Sequence, residues 1–445
     1  MNPGRQFIGM VMVFFFCFMG VPLPGLAEEK GVYTLEKSIE EAFSNNWSLK
    51  AKAEKITQAE QVKKQARAEF FPKLSTSYGY TRLSETPTTQ FSLPPLVPPT
   101  EIAVGAKDNY QWKGTITQPL FTGFALRSSY DLAKLGIDQS LLEVALEKMD
   151  LALRVKEAYF GILKADKALD VAQKAVAALE SHVKMAQNFY DVGMIPVNEL
   201  LKAEVELSNS RHDLVRAQSA SRLARASFNT VLSRPIEAPV EVEDILVYKG
   251  VGCALQEYLP KALKNRPEIK AIDLAIAQAD QQIRLTKSKN YPEIAFTYDY
   301  IKEGDDMGVS GDAYHDANRW EAGVGLTWTF WEWGKTHYAV KEKQSLKKQL
   351  LHEKKALEDR ILLEVKNALL DLEVARKDIP TTKKAVEQAE ENLRVSEERY
   401  KVQATTSTEV LDAQTLLTQA RSNYYDALYN HNLAKARLKR AIGEY

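Results

Sequence analysis

The chain has few of the residues that would cross-link, charge or metallate a globular domain. Cysteine occurs only at 17 and 253 among 445 residues. Loss of the N-terminal segment described below would leave Cys253 alone and exclude an intrachain disulfide. Net charge is absent as well. Lys+Arg and Asp+Glu each number 59, so no overall field points to nucleic acid or another polyanion. The histidines, His182, His212, His315, His337, His352 and His431, follow no metal-ligand spacing and have no cysteine partner. No nucleophile motif or P-loop occurs, which argues against an enzyme, a cofactor, and energy coupling within the chain.

Long apolar runs are missing after the first segment, and nothing later reaches the ~18 apolar residues of a membrane helix. The exception is FIGMVMVFFFCFMGVPLPGLA, preceded by Arg5, broken by Pro22 and Pro24, and ending in the small residues Gly25 and Ala27. This pattern predicts a secretory signal over 1–27, cleaved after Ala27. Cys17 lacks the small residues that precede a lipidated cysteine, so lipidation is not expected. The expectation is an exported protein without an α-helical span.

Proline is absent from about 124 to 190, and glycine occurs there only at 136 and 161. Leu142, Leu146, Met149, Leu153, Phe160 and Leu163 keep a 4-3 spacing interrupted only by Lys156. Sixty-odd helical residues make a rod of about 100 Å, and the sevenfold spacing implies coiled-coil packing. A second rod is expected over 336–400, with Pro380 kinking it.

The chain repeats itself. YDVGMIPVNELLKAEVEL from Tyr190 has its echo in YKVQATTSTEVLDAQTLL from Tyr400. After each echo a strict 3-4 alternation follows, from Leu207 to Val231 and from Leu417 through His431 to Ala441. Each echo is therefore expected at a turn between two long antiparallel helices. Upstream, aromatic-Pro pairs (Phe71-Pro72, Tyr291-Pro292) close Ala-rich helices, and Gly123 is matched with Gly334. The first repeat is read as 28–250 and the second as 251–445, joined by a proline-interrupted linker over 233–250.

Between the helices lie four runs of period two, about 74–83, 109–119, 293–301 and 319–330. Ile294, Phe296, Tyr298 and Tyr300 share one face. Trp320, Ala322, Val324, Leu326, Trp328 and Phe330 share another, backed by Gly and Thr. Strands of this length with aromatic ends suit an outer-membrane β-barrel. Tyr110, Trp112, Trp320, Trp328, Trp331 and Trp333 are the expected membrane-interface aromatics. Four strands cannot close, and an open edge in lipid leaves unpaired backbone groups, so the chain must oligomerise to 4n strands. A lumen favours n of three or more.

The signal, the duplicated helix–hairpin–helix–helix plan and the ending TEVLDAQTLLTQAR…YNHNLAKARLKRAIG together resemble the TolC family of outer-membrane efflux channels. The resemblance covers essentially the whole mature chain. It implies a mixed α and β membrane protein in which three chains share a twelve-stranded barrel. A coiled-coil helical tunnel would continue from it across the periplasm of a Gram-negative cell. It implies a homotrimer in outer-membrane lipid, served by a periplasmic adaptor and an inner-membrane pump, for efflux or type I secretion. The alternative is a structural coiled-coil envelope protein or adhesin, which explains the rods but not the hairpins. In this reading 84–108 and 302–318 are outer loops, and 191–196 and 401–406 are periplasmic turns. The second outer loop carries Glu303, Asp305, Asp306, Asp312 and Asp316, read as a solvated loop rather than a metal site.

Carried over by position, the family's carboxylate rings fall on Glu409 and Asp412. Its gate links fall on Asn198, Glu199, Tyr400 and Thr405. Symmetry-related carboxylates around a narrow lumen attract cations and repel anions. A Glu199–Tyr400 hydrogen bond would hold the tip shut. Thr405 stands where the family has an arginine, and Gln403 where the second turn has a glycine, whereas Gly193 is kept. Thr406-x-x-Glu409 also reads as a capping box. Met194, Ile195 and Pro196, the last as a first helical residue, form with Gly193, Gln403 and Ala404 the expected adaptor-contacting tip.

Overall fold

The computed structural model describes residues 32–248 and 255–445. The expected signal and its cleavage point, Cys17, Cys253 and the end of the 233–250 linker lie outside the described residues.

Helices α1 (Leu35–Asn45) and α2 (Trp47–Ala68) lead into strand β1 (Lys73–Arg82). A small hairpin, β2 (Thr88–Leu93) and β3 (Val97–Ala103), fills the outer loop before β4 (Asp108–Thr122). Helices α3 (Ala125–Asp191) and α4 (Val197–Leu232) complete the first half. The second half repeats the plan with α5 (Leu255–Asn265), α6 (Pro267–Lys287), β5 (Glu293–Gly304), β6 (Asn318–Thr327), α7 (Lys335–Lys401) and α8 (Ser407–Ala441). Helices α3 and α7 are both 67 residues long and start 210 residues apart. Upstream of the hairpins, α1 and α5 start 220 residues apart. The difference lies in the first outer loop, where the β2–β3 hairpin is accommodated.

Helices α3 and α7 are long because nothing stops them. Pro380 lies inside α7 without ending it. The hydroxyl of Thr382 donates to the Asp378 carbonyl (2.7 Å), supporting the turn beside the missing N–H. Lys156, the apparent break in the α3 stripe, keeps its place there and is itself buried. The buried band on α3 is wider than one seam, taking in Leu151, Val155, Tyr159 and Ile162, because α3 packs against α2, α4, α6 and α8.

Midway along the rods, α1 and the segment after α4 wrap α3, α4 and α8 around Tyr159, Phe228 and Leu232. The Tyr159 hydroxyl lies 2.9 Å from the Tyr33 carbonyl and 2.8 Å from that of Glu243. Burial pushes its pKa up to about 12, so it stays a neutral donor. Across from it, α5 packs on α7 and α8. There the buried Arg266 joins Glu268 and Glu364 at 2.7 and 2.6 Å.

Four strands form one antiparallel sheet in the order β1-β4-β5-β6, and β2 and β3 pair separately. Both outer strands lack a partner on one side and are exposed along their whole length. At the strand-to-helix corners two consecutive residues are left-handed: Gly123 and Phe124 before α3, Trp333 and Gly334 before α7. Gly123 is thus equivalent to Trp333, one place from the expected match with Gly334. A Cβ at Gly123 would collide with the Ser288 carbonyl, whereas Trp333 is 86% exposed and free to project.

Candidate functional site

Two regions concentrate the chemistry: the sheet and the far ends of the rods. Register puts Leu74, Tyr78, Tyr80, Tyr110, Trp112, Ile116, Phe296, Tyr298, Tyr300, Trp320, Val324 and Leu326 on one face. Toward the loops the rings contact one another, Tyr80 and Tyr110 at 4.6 Å, Trp112 and Tyr300 at 6.2 Å, Tyr298 and Trp320 at 6.3 Å. A second aromatic level gathers at the helix corners. Strand β6 ends at Thr327, so Trp328 and Phe330, expected on the strand face, lie beyond the ladder with Trp331 and Trp333. The indole N–H of Trp328 donates to the Asn290 carbonyl (3.2 Å), which ties this level to the turn after α6. The six aromatics singled out in the sequence therefore divide between two levels: Tyr110, Trp112 and Trp320 near the loops, Trp328, Trp331 and Trp333 near the helices.

The opposite face of the sheet is polar. Lys113 and Asp299 pair at 2.8 Å, and Thr115 donates to the same carboxylate at 2.6 Å. Nearer the loops Glu303 accepts from Gln111 (2.7 Å) and Arg319 (3.0 Å), and Arg319 also meets Glu321 (3.1 Å). The sequence shows Gly and Thr on this face but not these pairs, because each joins different strands. In the loop itself, Asp312 accepts from the backbone of Tyr314 and His315, both at 2.7 Å.

At the other end the two echoes form turns of the same geometry. Gly193 and Gln403 both adopt left-handed φ, 78° and 57°. In the first turn Gly193 and Met194 donate to the carbonyls of Tyr190 and Phe189, both at 2.8 Å. In the second, Gln403 and Ala404 donate to Tyr400 and Arg399 at 2.9 and 2.8 Å. Both are Schellman ends, and the missing glycine leaves the second turn's conformation unchanged. Pro196 is the N-cap of α4 rather than its first helical residue. Met194 is 53% exposed, Ile195 is half-buried, and Gln403 and Ala404 are exposed.

The second tip departs from the expected capping box. The Thr406 side chain makes no cap hydrogen bond. The Glu409 carboxylate is held instead by Arg399 (3.1 Å) and by the Thr405 hydroxyl. Arg399 also donates to the Ala404 carbonyl (3.3 Å). A guanidinium thus sits at this tip although position 405 is threonine, and it reaches there from one turn earlier on α7. Asp412 is exposed, as is Asn198.

Nor do Glu199 and Tyr400 bond directly within the chain. Glu199 accepts from the main-chain N–H of Ser407 (3.2 Å). Tyr400 is 2% exposed and packed on Phe189 (5.6 Å) and His182 (4.9 Å), with its hydroxyl buried. Burial, followed by the nearby Glu199 charge, raises its pKa. His182 Nε2 lies 2.7 Å from Ser407 Oγ. Sequence reasoning passed over His182, Ser407 and Arg399. A signal for the first was present: His182 follows Ala175 and Leu179 on the buried stripe of α3, a slot where a polar ring needs a partner.

The comparisons with known proteins agree with this architecture. The outer membrane efflux protein family matches residues 38–233 and 258–444. The outer membrane efflux protein BepC of Brucella suis is 22% identical over 92% of this chain and 85% of its own length. TolC of Escherichia coli is 22% identical over 67% of this chain and 62% of its own length. Among solved structures, the CmeC outer membrane channel of Campylobacter jejuni superposes with a TM-score of 0.77 at 15% identity, covering 92% of this chain and 85% of that one. The fold is that of these channel proteins, and the chain belongs to the outer membrane efflux protein family, the family of TolC.

Proposed function

We propose that three copies of this chain close their four-stranded sheets into one twelve-stranded barrel in the outer membrane and conduct substrates passively out of the cell. The observation that carries this reading is the sheet. It has two unpaired edges, an aromatic-rich face and a polar face, and it runs straight into two 67-residue helices. An open edge costs several kcal/mol per unsatisfied backbone group in lipid, which pairing β6 of one copy with β1 of the next removes. The aromatic face then meets lipid with its two ring levels at the two interfaces, and the Lys113, Asp299, Glu303 and Arg319 face lines the lumen.

In this reading the four long helices of each copy build a tunnel about 100 Å deep whose aperture lies at the two turns. The aperture is gated by Asn198, Glu199, Tyr400, Thr405, Glu409 and Asp412. Because Arg399 neutralises Glu409, Asp412 is the carboxylate left to set cation preference. The exposed turn residues Gly193, Met194, Ile195, Pro196, Gln403 and Ala404 meet a periplasmic adaptor, which connects to an inner-membrane pump for efflux or type I secretion.

Extraction in mild detergent followed by native mass spectrometry and planar-bilayer recording tests the reading. A trimer that inserts and conducts is expected. A monomer, or a trimer without conductance in any variant, overturns it.

A further inference from the structure

One buried imidazole at the tip sits where the two hairpins of the chain meet, and an imidazole exposed to water changes charge between neutral and mildly acidic conditions. His182 comes from α3, Ser407 from the first turn of α8, Tyr400 from α7 and Glu199 from α4. The imidazole Nε2 and the Ser407 hydroxyl are 2.7 Å apart, and both residues are buried. The Ser407 main-chain N–H is held by Glu199 at 3.2 Å, so one residue of α8 is tied to both α3 and α4. The Tyr400 ring packs on the imidazole at 4.9 Å, its hydroxyl buried beside it.

The charged and titratable groups facing this joint are few. Glu199 faces it from α4 and Tyr400 from α7, whereas α8 contributes only the uncharged Ser407. On α3 itself Glu180, Lys184 and Asp191 are exposed. Among the described residues no carboxylate hydrogen-bonds the imidazole, so an imidazolium here would lose water without gaining a direct counter-ion.

We propose that His182 is a gating residue of the periplasmic tip: neutral, it ties α3 to the start of α8, and on taking a proton it favours separation of the two hairpins. The inference rests on the gate reading above and adds to it the group that makes the gate respond to acid.

Burial alone holds the imidazole down to about 4, against an ordinary value of 6.5. The sign follows from linkage. The packed joint binds the proton more weakly than a hydrated one. Its advantage is therefore complete above about pH 6.5 and is lost as pH falls toward 4. Between pH 7.5 and 5.0 the opening equilibrium rises about 30-fold per copy if separation restores an ordinary histidine pKa.

The experiment records the full-length purified protein in planar lipid bilayers at pH 7.5 and 5.0, beside His182→Gln and Ser407→Ala. Glutamine keeps a polar contact to Ser407 and cannot titrate. The expected result is a channel mostly shut at pH 7.5 and opening at least tenfold more often at pH 5.0. His182→Gln should stay shut at both, and Ser407→Ala should open more often at pH 7.5. If the wild type shuts at pH 7.5 but acid leaves it shut, or if His182→Gln opens equally with acid, the histidine inference fails while the gate stands. If wild type and variants are fully open at both pH values, the gate reading itself fails. Trimer yield and thermal stability of each variant, measured alongside, separate misfolding from gating. Should His182→Gln not assemble, His182→Asn with the same recordings takes its place.

Discussion

The two tip turns differ at one position whose energetic consequence can be calculated. Gln403 holds φ at 57°, and Gly193 holds φ at 78° in the equivalent place. A side-chain-bearing residue in the left-handed region costs roughly 1–2 kcal/mol. Glycine avoids that cost but gives up about 0.5–1 kcal/mol of extra backbone freedom on ordering. Gln403→Gly should therefore stabilise the second turn by about 0.5–1 kcal/mol, the difference between the two effects. Gly193→Ala should do the reverse in the first turn. A Cβ at Gly193 meets nothing within 4 Å, so that substitution changes backbone strain and nothing else. The readout must be local, because the rest of each rod dominates global unfolding. The amide of Ala404, bonded to the Arg399 carbonyl at 2.8 Å, and that of Met194, bonded to Phe189 at 2.8 Å, report turn opening. Hydrogen exchange at Ala404 in Gln403→Gly should slow about 2–5-fold, and exchange at Met194 in Gly193→Ala should accelerate by a similar factor. Unchanged exchange in both, or shifts of the opposite sign, would refute the claim that one left-handed geometry is imposed on two different residues.

Arg399→Gln frees the Glu409 carboxylate, so cation over anion permeability should rise in bilayers, while Glu409→Gln with Asp412→Asn should lower it. The pair is half-exposed, so the stability change should stay within about 1 kcal/mol. Lys156 is buried, and burial, with Lys439 nearby, lowers its pKa from 10.5 to about 8. Lys156→Met should thus raise thermal stability at pH 7, by at most about 3 kcal/mol. The penalty is full below pH 8 and vanishes toward 10.5, so a gap between wild type and variant that ignores pH would contradict burial as its cause. Tyr159→Phe removes the hydroxyl that bridges the Tyr33 and Glu243 carbonyls and should cost about 1–3 kcal/mol by thermal or chemical unfolding of the protein.

Much of the molecule was legible from pattern because pattern is local. The α3 rod needs only an absence of breakers and a sevenfold apolar period, both written in consecutive residues. The strands need only alternation, and Ile294, Phe296, Tyr298 and Tyr300 keep one face in the sheet as they do in the sequence. Pro380, expected to kink the second rod, lies inside α7 without ending it.

What the amino-acid order by itself determined was the plan. It specified two repeats, two long helical hairpins and four strands with too few partners to close, each following from periodicity and chain breakers. Tertiary structure alone decided which charges and rings meet. Glu199 and Glu409 occupy equivalent places in the two repeats, yet one holds the Ser407 backbone and the other holds Arg399. Tyr190 and Tyr400 are likewise equivalent, yet one is 40% exposed and the other 2%. Repeated sequence imposes repeated backbone, because φ, ψ and hydrogen bonding depend on near neighbours. Partnership depends on which helix lies across the gap, and the two repeats face each other rather than copies of themselves.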